Sequence, residues 1–206
     1  MIGNLQFYRG TGTNPYDNLA VESYFLQHCP PETCIFYLWQ NQRTVVIGKN
    51  QNAWQECNVE LLEQENGFLA RRPSGGGAVF HDLGNLNFTF VAPSGDYNVS
   101  RQLEVICRAV KTFGLDAQKN GRNDITIDGK KFSGNAFQKS KGISCHHGTL
   151  LVHVDTEQMA RYLTASAKKL QAKGVSSVKS RVVNLQSLCP SITVDSLSDA
   201  LFHAFE

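Results

Sequence analysis

The stretch Arg71-Arg72-Pro73-Ser74-Gly75-Gly76-Gly77-Ala78-Val79-Phe80-His81-Asp82-Leu83-Gly84-Asn85 sets three adjacent glycines between two arginines and a His-Asp pair. Glycine lacks a Cβ, so backbone N–H groups can lie close to a ligand, and successive N–H groups in a turn form a concave nest for anions. The arginines add planar, permanently charged forks suited to carboxylate or phosphate. Residues 68–72 before the glycines, and 78–80 and 85–91 after them, read as strands, so the run joins pieces of sheet. A flexible hairpin loop would carry the same glycines. The spacing is not that of a P-loop, since no Gly-Lys-Ser/Thr follows, and no GxGxxG opens a helix after a strand.

Outward from this run the chain alternates strands and helices without repeats or low-complexity linkers. Residues 5–8 suggest a first strand. Residues 15–29 place Leu19, Val21, Tyr24 and Phe25 in an amphipathic helical pattern that ends at Pro30-Pro31. Residues 34–39 and 44–47 are β-rich and read as a hairpin turning at 40–43. Residues 60–65 are helical, and 100–113 carry Leu103, Ile106, Val110 and Phe113 on one helical face. Strands 125–127 and 131–138 flank Asp128-Gly129, a two-residue hairpin signal. Residues 143–154 read as a long strand, and 156–163 and 194–205 as helices. Hairpins dominate over βαβ crossovers, which predicts an α+β fold with a mostly antiparallel or mixed sheet flanked by helices.

A chain of 206 residues is long enough for one sizeable core. Its net charge of +2 and pI near 8.2 do not indicate a general nucleic-acid surface. No apolar run approaches the roughly 18 residues of a membrane span, and residues 1–10 lack the charged start and apolar centre of a secretory signal. Cys29, Cys34, Cys57, Cys107, Cys145 and Cys189 form no CxxC pair and no framework spacing, as expected of reduced thiols in a cytoplasmic protein.

Two further constellations carry chemistry. Gly121-Arg122-Asn123-Asp124 is followed, past the Asp128-Gly129 turn, by Lys130-Lys131-Phe132-Ser133-Gly134-Asn135-Ala136. Regular alternation would put Lys131, Ser133 and Asn135 on one polar face and Phe132, Gly134 and Ala136 on the other. Such a lysine can hold a carboxylate or phosphate oxygen, or can simply be a solvated strand lysine. Cys145-His146-His147-Gly148-Thr149-Leu150-Leu151 sits on the long strand. Period two there puts Cys145, His147 and Thr149 on one face and His146 and Leu150 on the other, so the two histidines are not placed to chelate one metal.

In this order, the glycine run with His81-Asp82 and Gly84-Asn85, the Gly121-Arg122-Asn123-Asp124 segment, the Lys131 to Ala136 segment and His146-His147-Gly148-Thr149-Leu150-Leu151 resemble lipoate-protein ligase. The resemblance extends over residues 15–22, 44–57 and 173–185, hence nearly the whole chain. It implies the catalytic-domain fold of the biotin and lipoate ligases, and a two-step reaction. Lipoate and ATP, with magnesium, give lipoyl-AMP and pyrophosphate; the ε-amine of a carrier lysine then attacks the acyl carbon and releases AMP. The implied carriers are apo lipoyl domains of 2-oxoacid dehydrogenases or the glycine cleavage H protein.

By the same resemblance Lys131 is the catalytic lysine, contacting the carboxyl and α-phosphate oxygens. Arg72 meets phosphate or carboxylate, and Gly77, Ala78, Val79 and Phe80 line the adenylate or acyl tunnel. Ser74, His81 and Asn85 belong to the same nucleotide-binding run. Arg122, Asn123 and Asp124 form a phosphate and magnesium corner, with Asp124 as a hard oxygen ligand. His147 and Thr149 face lipoyl-AMP, and Val178 and Ser180 lie where the family contacts adenosine. Lys168, Lys169, Lys173, Lys179 and Arg181 read as a solvated face, or as a loop in which Lys179 or Arg181 touches phosphate or steers an acidic carrier. Many members carry an accessory domain after the catalytic one, in some as a separate protein. None follows Glu206 here, so the chain is expected to be one catalytic domain over residues 1–206 that makes lipoyl-AMP, or only transfers it once preformed.

Other readings use the same residues. Octanoyltransferases share the fold but form a thioester on cysteine, for which Cys145, on the face of His147, is the candidate thiol. An activated thiol needs an electropositive, accessible setting. A module that binds lipoyl carriers or adenylates without turnover is the non-enzymatic alternative; the retention of Lys131 and the whole glycine run argues against it.

Overall fold

In the computed structural model, which describes residues 1–121, 123–164 and 182–206, the described residues form two sheets. The larger contains β1 (Asn4–Arg9), β2 (Thr33–Trp39), β6 (Asn85–Pro93), β7 (Gln118–Asn120), β8 (Asp124–Ile127), β9 (Lys130–Ser140) and β10 (Ile143–Leu151), in the order β1-β2-β6-β10-β9-β8-β7. Only β1 and β2 run parallel in it. The smaller sheet has β3 (Thr44–Ile47) between β4 (Phe68–Arg71), to which it is parallel, and β5 (Val79–His81), to which it is antiparallel. The glycine run thus joins the two outer strands of the small sheet. The expected α+β architecture with a mixed sheet is present.

The hairpin expected between residues 34–39 and 44–47 is absent. β2 pairs with β1 and β6, β3 pairs with β4 and β5, and residues 40–43 carry the chain from one sheet to the other. Burial explains this: β3 is buried at all four positions and β2 at six of seven. Strands apolar on both faces need cover on both, which a local hairpin cannot supply.

Helix α1 (Pro15–His28) starts where Asn14 accepts a hydrogen bond from the Tyr16 N–H at 2.9 Å and Pro15 occupies the first turn. Short helices α2 (Ala53–Glu56) and α3 (Val59–Gln64) follow β3, while α4 (Val99–Lys111) begins at an Asn98 cap. After β10 come α5 (Thr156–Tyr162), α6 (Leu185–Leu188) and α7 (Val194–Phe205), the last opened by a Thr193–Ser196 capping box. Helices α4 and α7 cover one face of the large sheet. Phe36, Phe88, Phe90, Ile106, Val110, Leu197 and Leu201 meet there in the main core, each contributing about 1.5–3 kcal/mol of burial. The small sheet packs with α2, α3 and α5 around Val45, Leu62, Phe80 and Tyr162.

On the other face of the large sheet lies α1, and here its expected apolar stripe is corrected. Val21 and Tyr24 are exposed, whereas Asn18, Glu22 and Leu26 are buried. The helix packs polar groups inward because the sheet beneath it is polar at that place, as the site shows.

A second correction concerns β9. Asp124 and Ile125 pair with Gly134 and Ser133, but Thr126 and Ile127 pair with Lys131 and Lys130, so Phe132 is an extra residue on its strand. This bulge breaks the alternation expected of residues 131–136. Phe132 and Ser133 are both fully buried, and Lys131 comes round to the face of Gly134. A Cβ built on Gly134 would stand 2.9 Å from Lys131 Nζ. Asn135 instead bonds His146 Nε2 at 2.8 Å.

Candidate active site

The register of the large sheet sets side chains in rows. Trp39 stands opposite Asn87, Asn87 opposite Thr149, Thr149 opposite Gly134, and Gly134 opposite Asp124. The next row is Tyr37, Thr89, His147 and Ala136; the third is Ile35, Val91, Cys145 and Gln138. Over the first two rows, the small sheet, its glycine run and Leu19 of α1 enclose a cavity of about 220 Å³. Trp39, Leu19, Val46 and Val79 make part of its wall apolar, while Asn123, Asp124 and Lys131 stand at the opposite end of the first row.

Ten of the expected site residues line this cavity: Arg72, Gly77, Ala78, Val79, His81, Asn123, Asp124, Lys131, His147 and Thr149. Ser74 stands behind it, its Oγ 2.6 Å from His147 Nε2. Phe80 does not line it. Strand alternation turns that ring into the second core against Tyr162, at a centroid distance of 5.4 Å. Asn85 is likewise behind the wall, where its Nδ2 donates to Asn87 Oδ1 at 3.0 Å, and Asn87 is the lining residue. Arg122, Val178 and Ser180 lie outside the described residues, as do Lys168, Lys169, Lys173, Lys179 and Arg181.

Arg72 lines the cavity, and its guanidinium is also held by the loop beside it. Its Nε and Nη2 donate to Gly75 O, Nη2 also to Gly77 O at 2.7 Å, and Nη1 to Val46 O. The guanidinium therefore clamps the glycine run against β3, with four of its hydrogen bonds going to main-chain carbonyls. Burial lowers its pKa to about 10, opposed by the Glu22 charge, so it remains a cation. Gly76 has φ +97°, and a Cβ on Gly48 would stand 2.4 Å from Gly76 O. Glycine is required at both places for the loop to lie this close. At the far end Lys131 Nζ is 2.8 Å from Asp124 Oδ1, with both side chains partly open to solvent.

Between the two sheets runs a buried chain of polar contacts. Trp39 Nε1 donates to Thr89 Oγ1 at 3.0 Å, and Thr89 donates to Glu22 Oε2 at 2.6 Å. Glu22 also accepts from His147 Nδ1 at 2.9 Å, and His147 Nε2 meets Ser74 Oγ. Burial alone would raise the Glu22 carboxyl. The His147 charge, hydrogen bonds from His147 and Thr89, and Arg72 outweigh that and hold it below the ordinary value. Glu22 carried no motif, and the only signal for it was its place one turn after Asn18 on the inward side of α1.

His81 and His146 are held neutral, each with a pKa lowered to about 3. Burial is the main cause for both; the charges of Arg72 and His147 add to it at His81, and that of His147 at His146. An unfolded chain would protonate both near pH 6.5. Because the folded values are depressed, their contribution is intact above that pH and is lost as pH falls toward about 3. The unfolding free energy should drop by up to ~2.7 kcal/mol per pH unit for the two together. Urea midpoints at neutral and mildly acidic pH check this, and an unchanged midpoint would contradict it.

Cys145 is buried beside Leu26, Ile35 and Val91 and does not line the cavity. Burial, with the Glu22 charge, pushes its thiol well above the ordinary value. Glu22, Cys145 and His147 hold ligand atoms within 4.8 Å of one another. That thiol and imidazole suit zinc rather than magnesium. For magnesium the cavity offers the Asp124 carboxylate, a donor set that fits an ion taking most of its ligands from phosphate and water. No helix among the described residues is long and apolar enough to cross a membrane.

Known proteins resemble the chain closely. The profile of the lipoyl protein ligase A/B catalytic domain matches residues 14–206. Lipoate-protein ligase A of Psychrobacter cryohalolentis is 45% identical over 201 residues, which cover 98% of this chain and 59% of that one. The Bdellovibrio bacteriovorus protein of the same name is 44% identical, with 98% and 61% covered. The chain thus spans about three fifths of the curated relatives it matches. P. falciparum LipL1, solved in complex with lipoate, superposes with a TM-score of 0.86 at 33% identity, covering 98% of this chain and 61% of that one. A bipartite lipoate protein ligase from Thermoplasma acidophilum, studied with its E2 lipoyl domain, gives 0.84 at 30%, with 98% and 81% covered. Lipoate-protein ligase A bound with ATP gives 0.83 at 27%, with 100% and 84% covered. Biotin protein ligase from Leishmania major, at 12% identity and TM-score 0.53, with 98% and 73% covered, shares the fold.

Proposed function

The chain belongs to the lipoyl protein ligase A/B catalytic-domain family, and from that premise we propose that it uses ATP to attach lipoate to a carrier lysine through lipoyl-AMP. The observation that carries this reading is the cavity itself, apolar around Trp39 and Leu19 and cationic at Lys131. An acyl chain fits the dry part, and its carboxylate fits the charged end.

In the first step a carboxylate oxygen of lipoate attacks the α-phosphorus and pyrophosphate leaves. In the second the carrier amine attacks the acyl carbon and AMP leaves. Lys131 offsets the negative charge on the carboxyl and phosphate oxygens in both. The Arg72 clamp fixes the glycine run, whose backbone N–H groups would serve the phosphates. Asp124 orients Lys131 and would hold magnesium, which supplies charge neutralisation to the phosphates when bound. The apolar wall keeps water from the acyl chain. Carriers would be the lipoyl domains of 2-oxoacid dehydrogenases or the glycine cleavage H protein. Six unpaired cysteines suit a reducing compartment and support a cytoplasmic site of action.

The test is ATP-dependent mass gain on an apo lipoyl domain, with pyrophosphate release followed with and without the carrier. Transfer from supplied lipoyl-AMP but not from lipoate plus ATP would restrict the chain to the second step. Thioester chemistry on Cys145 is disfavoured, because a thiol this buried and this weakly acidic is a poor nucleophile. Cys145→Ala should therefore keep near-normal ATP-dependent activity. Loss of activity in that variant, together with transfer that needs no ATP, would replace the ligase reading with acyl transfer from cysteine.

A further inference from the structure

We infer that His81 and Asn87 form a donor pair for the sulfur-bearing end of the acyl substrate, so that the site selects a lipoyl chain over a sulfur-free chain of the same shape. The inference rests on the proposed acyl-adenylate chemistry and names what sets its specificity.

Most polar groups around the cavity are already matched. Trp39 donates to Thr89, Glu22 and His147 hold one another, Arg72 holds the glycine run, and Lys131 holds Asp124. Two buried nitrogens of lining residues have no partner among the described residues, His81 Nε2 and Asn87 Nδ2. A buried donor left unmatched is costly, which marks such groups as belonging to a ligand.

The His81 tautomer follows from a chain of contacts anchored in the backbone. Asn18 Nδ2 donates to the carbonyls of Gly12 and Gln40, which fixes that amide, and it also donates to Asn41 Oδ1 at 3.0 Å. Asn41 must then present its Nδ2 to His81 Nδ1, 3.1 Å away. With Nδ1 accepting and the ring neutral, the proton sits on Nε2. As placed, Asn87 accepts from Asn85 Nδ2 and turns its own NH₂ to the cavity as the second donor, with Asn85 Oδ1 left unpaired behind the wall.

Their position matches the length of the substrate. Asn87 stands two strands from Gly134, across Thr149, and Gly134 borders Lys131 Nζ. Two strand spacings are about 10 Å, and an extended eight-carbon acyl chain spans about 9 Å at roughly 1.25 Å per bond. With its carboxyl at Lys131, the chain brings C6 to C8 beside Asn87 and His81, and those carbons carry the two ring sulfurs of lipoate. Divalent sulfur accepts N–H weakly, and an alkyl end accepts nothing. A site built around donors discriminates against an analogue that leaves them unpaired.

Calorimetric binding of the free acids tests this without requiring turnover, using lipoate, octanoate and 5-cyclopentylpentanoate, which has the same ring shape without sulfur. The wild-type chain should bind lipoate about tenfold more tightly than the cyclopentyl acid. Asn87→Leu, close in volume but without the donor, should abolish most of that preference, and His81→Phe should act in the same direction. Equal binding of lipoate and the cyclopentyl acid by wild type would overturn the inference. So would a preference unchanged in both folded variants. Pyrophosphate release is measured alongside: ATP-dependent turnover with no binding preference defeats the inference alone, whereas binding preference without pyrophosphate release counts against adenylation by this chain and leaves the donor pair standing.

Discussion

Lys131→Ala is expected to lower ATP-dependent lipoyl transfer by about 10²–10³-fold, the usual cost of removing one charge-stabilising group from a reacting centre. On the proposed reaction the effect should appear in kcat, because the lysine would act on charge that develops as the anhydride forms and breaks. Stability should barely change. The side chain is partly open to solvent and its ion pair with Asp124 is near the surface, worth about 0–1 kcal/mol. The structural role of the residue is in its main chain, whose carbonyl accepts from Val183 N at 2.9 Å. Lys131→Arg keeps the charge but replaces a compact ammonium with a planar fork, and should recover only part of the rate. A Lys131→Ala enzyme that retained most of its rate would remove this residue from the chemistry.

Glu22→Ala is expected to destabilise the fold by about 3–5 kcal/mol, because it breaks a buried, hydrogen-bonded pair and leaves His147 Nδ1 without its partner. At 206 residues that corresponds to a fall in Tm of roughly 10 °C or more. Thr89 loses its acceptor at the same time, and the support behind Trp39 and Ser74 goes with it. Glu22→Gln keeps the volume and an acceptor oxygen for Thr89, so its loss should be smaller. The double change of Glu22 and His147 to leucine should cost less than the sum of the two single changes, since neither partner is then stranded. Thermal unfolding of the four proteins checks this, and strict additivity would show that the pair is not coupled.

Much of this arrangement was legible in the chain, and the exceptions share a cause. The Asp128-Gly129 hairpin was readable because its two residues adopt positive φ of 50° and 74°, which few dipeptides do cheaply. The glycine run was readable as a close-approach segment, although not the loop carbonyls that occupy Arg72. Glu22 was not readable, since hydrophobic periodicity finds apolar faces meeting a core, and α1 meets a polar floor. Asn87 and Trp39 were hidden among strand residues, and only the register that sets them opposite each other reveals a shared wall. Phe80 was misplaced for the same reason: its neighbours line the cavity, but pairing with Val45 turns it the other way. Pairing partners are a property of two distant segments, so no single stretch contains them.

The bulge at Phe132 makes the strand sensitive to parity rather than to composition. Lys131 and Ser133 stand on opposite faces only because Phe132 is slipped between them while their partners Thr126 and Ile125 are consecutive. Pairing Phe132 as an ordinary strand residue would leave every site residue in the chain and yet put Lys131 on the face of Ser133, out of phase with Gly134 and with the ammonium turned toward the main core. The position is thus a counting element. In redesign or in comparison of related chains, an added residue here carries more consequence than most substitutions, because it exchanges the inner and outer layers of the strand at a stroke.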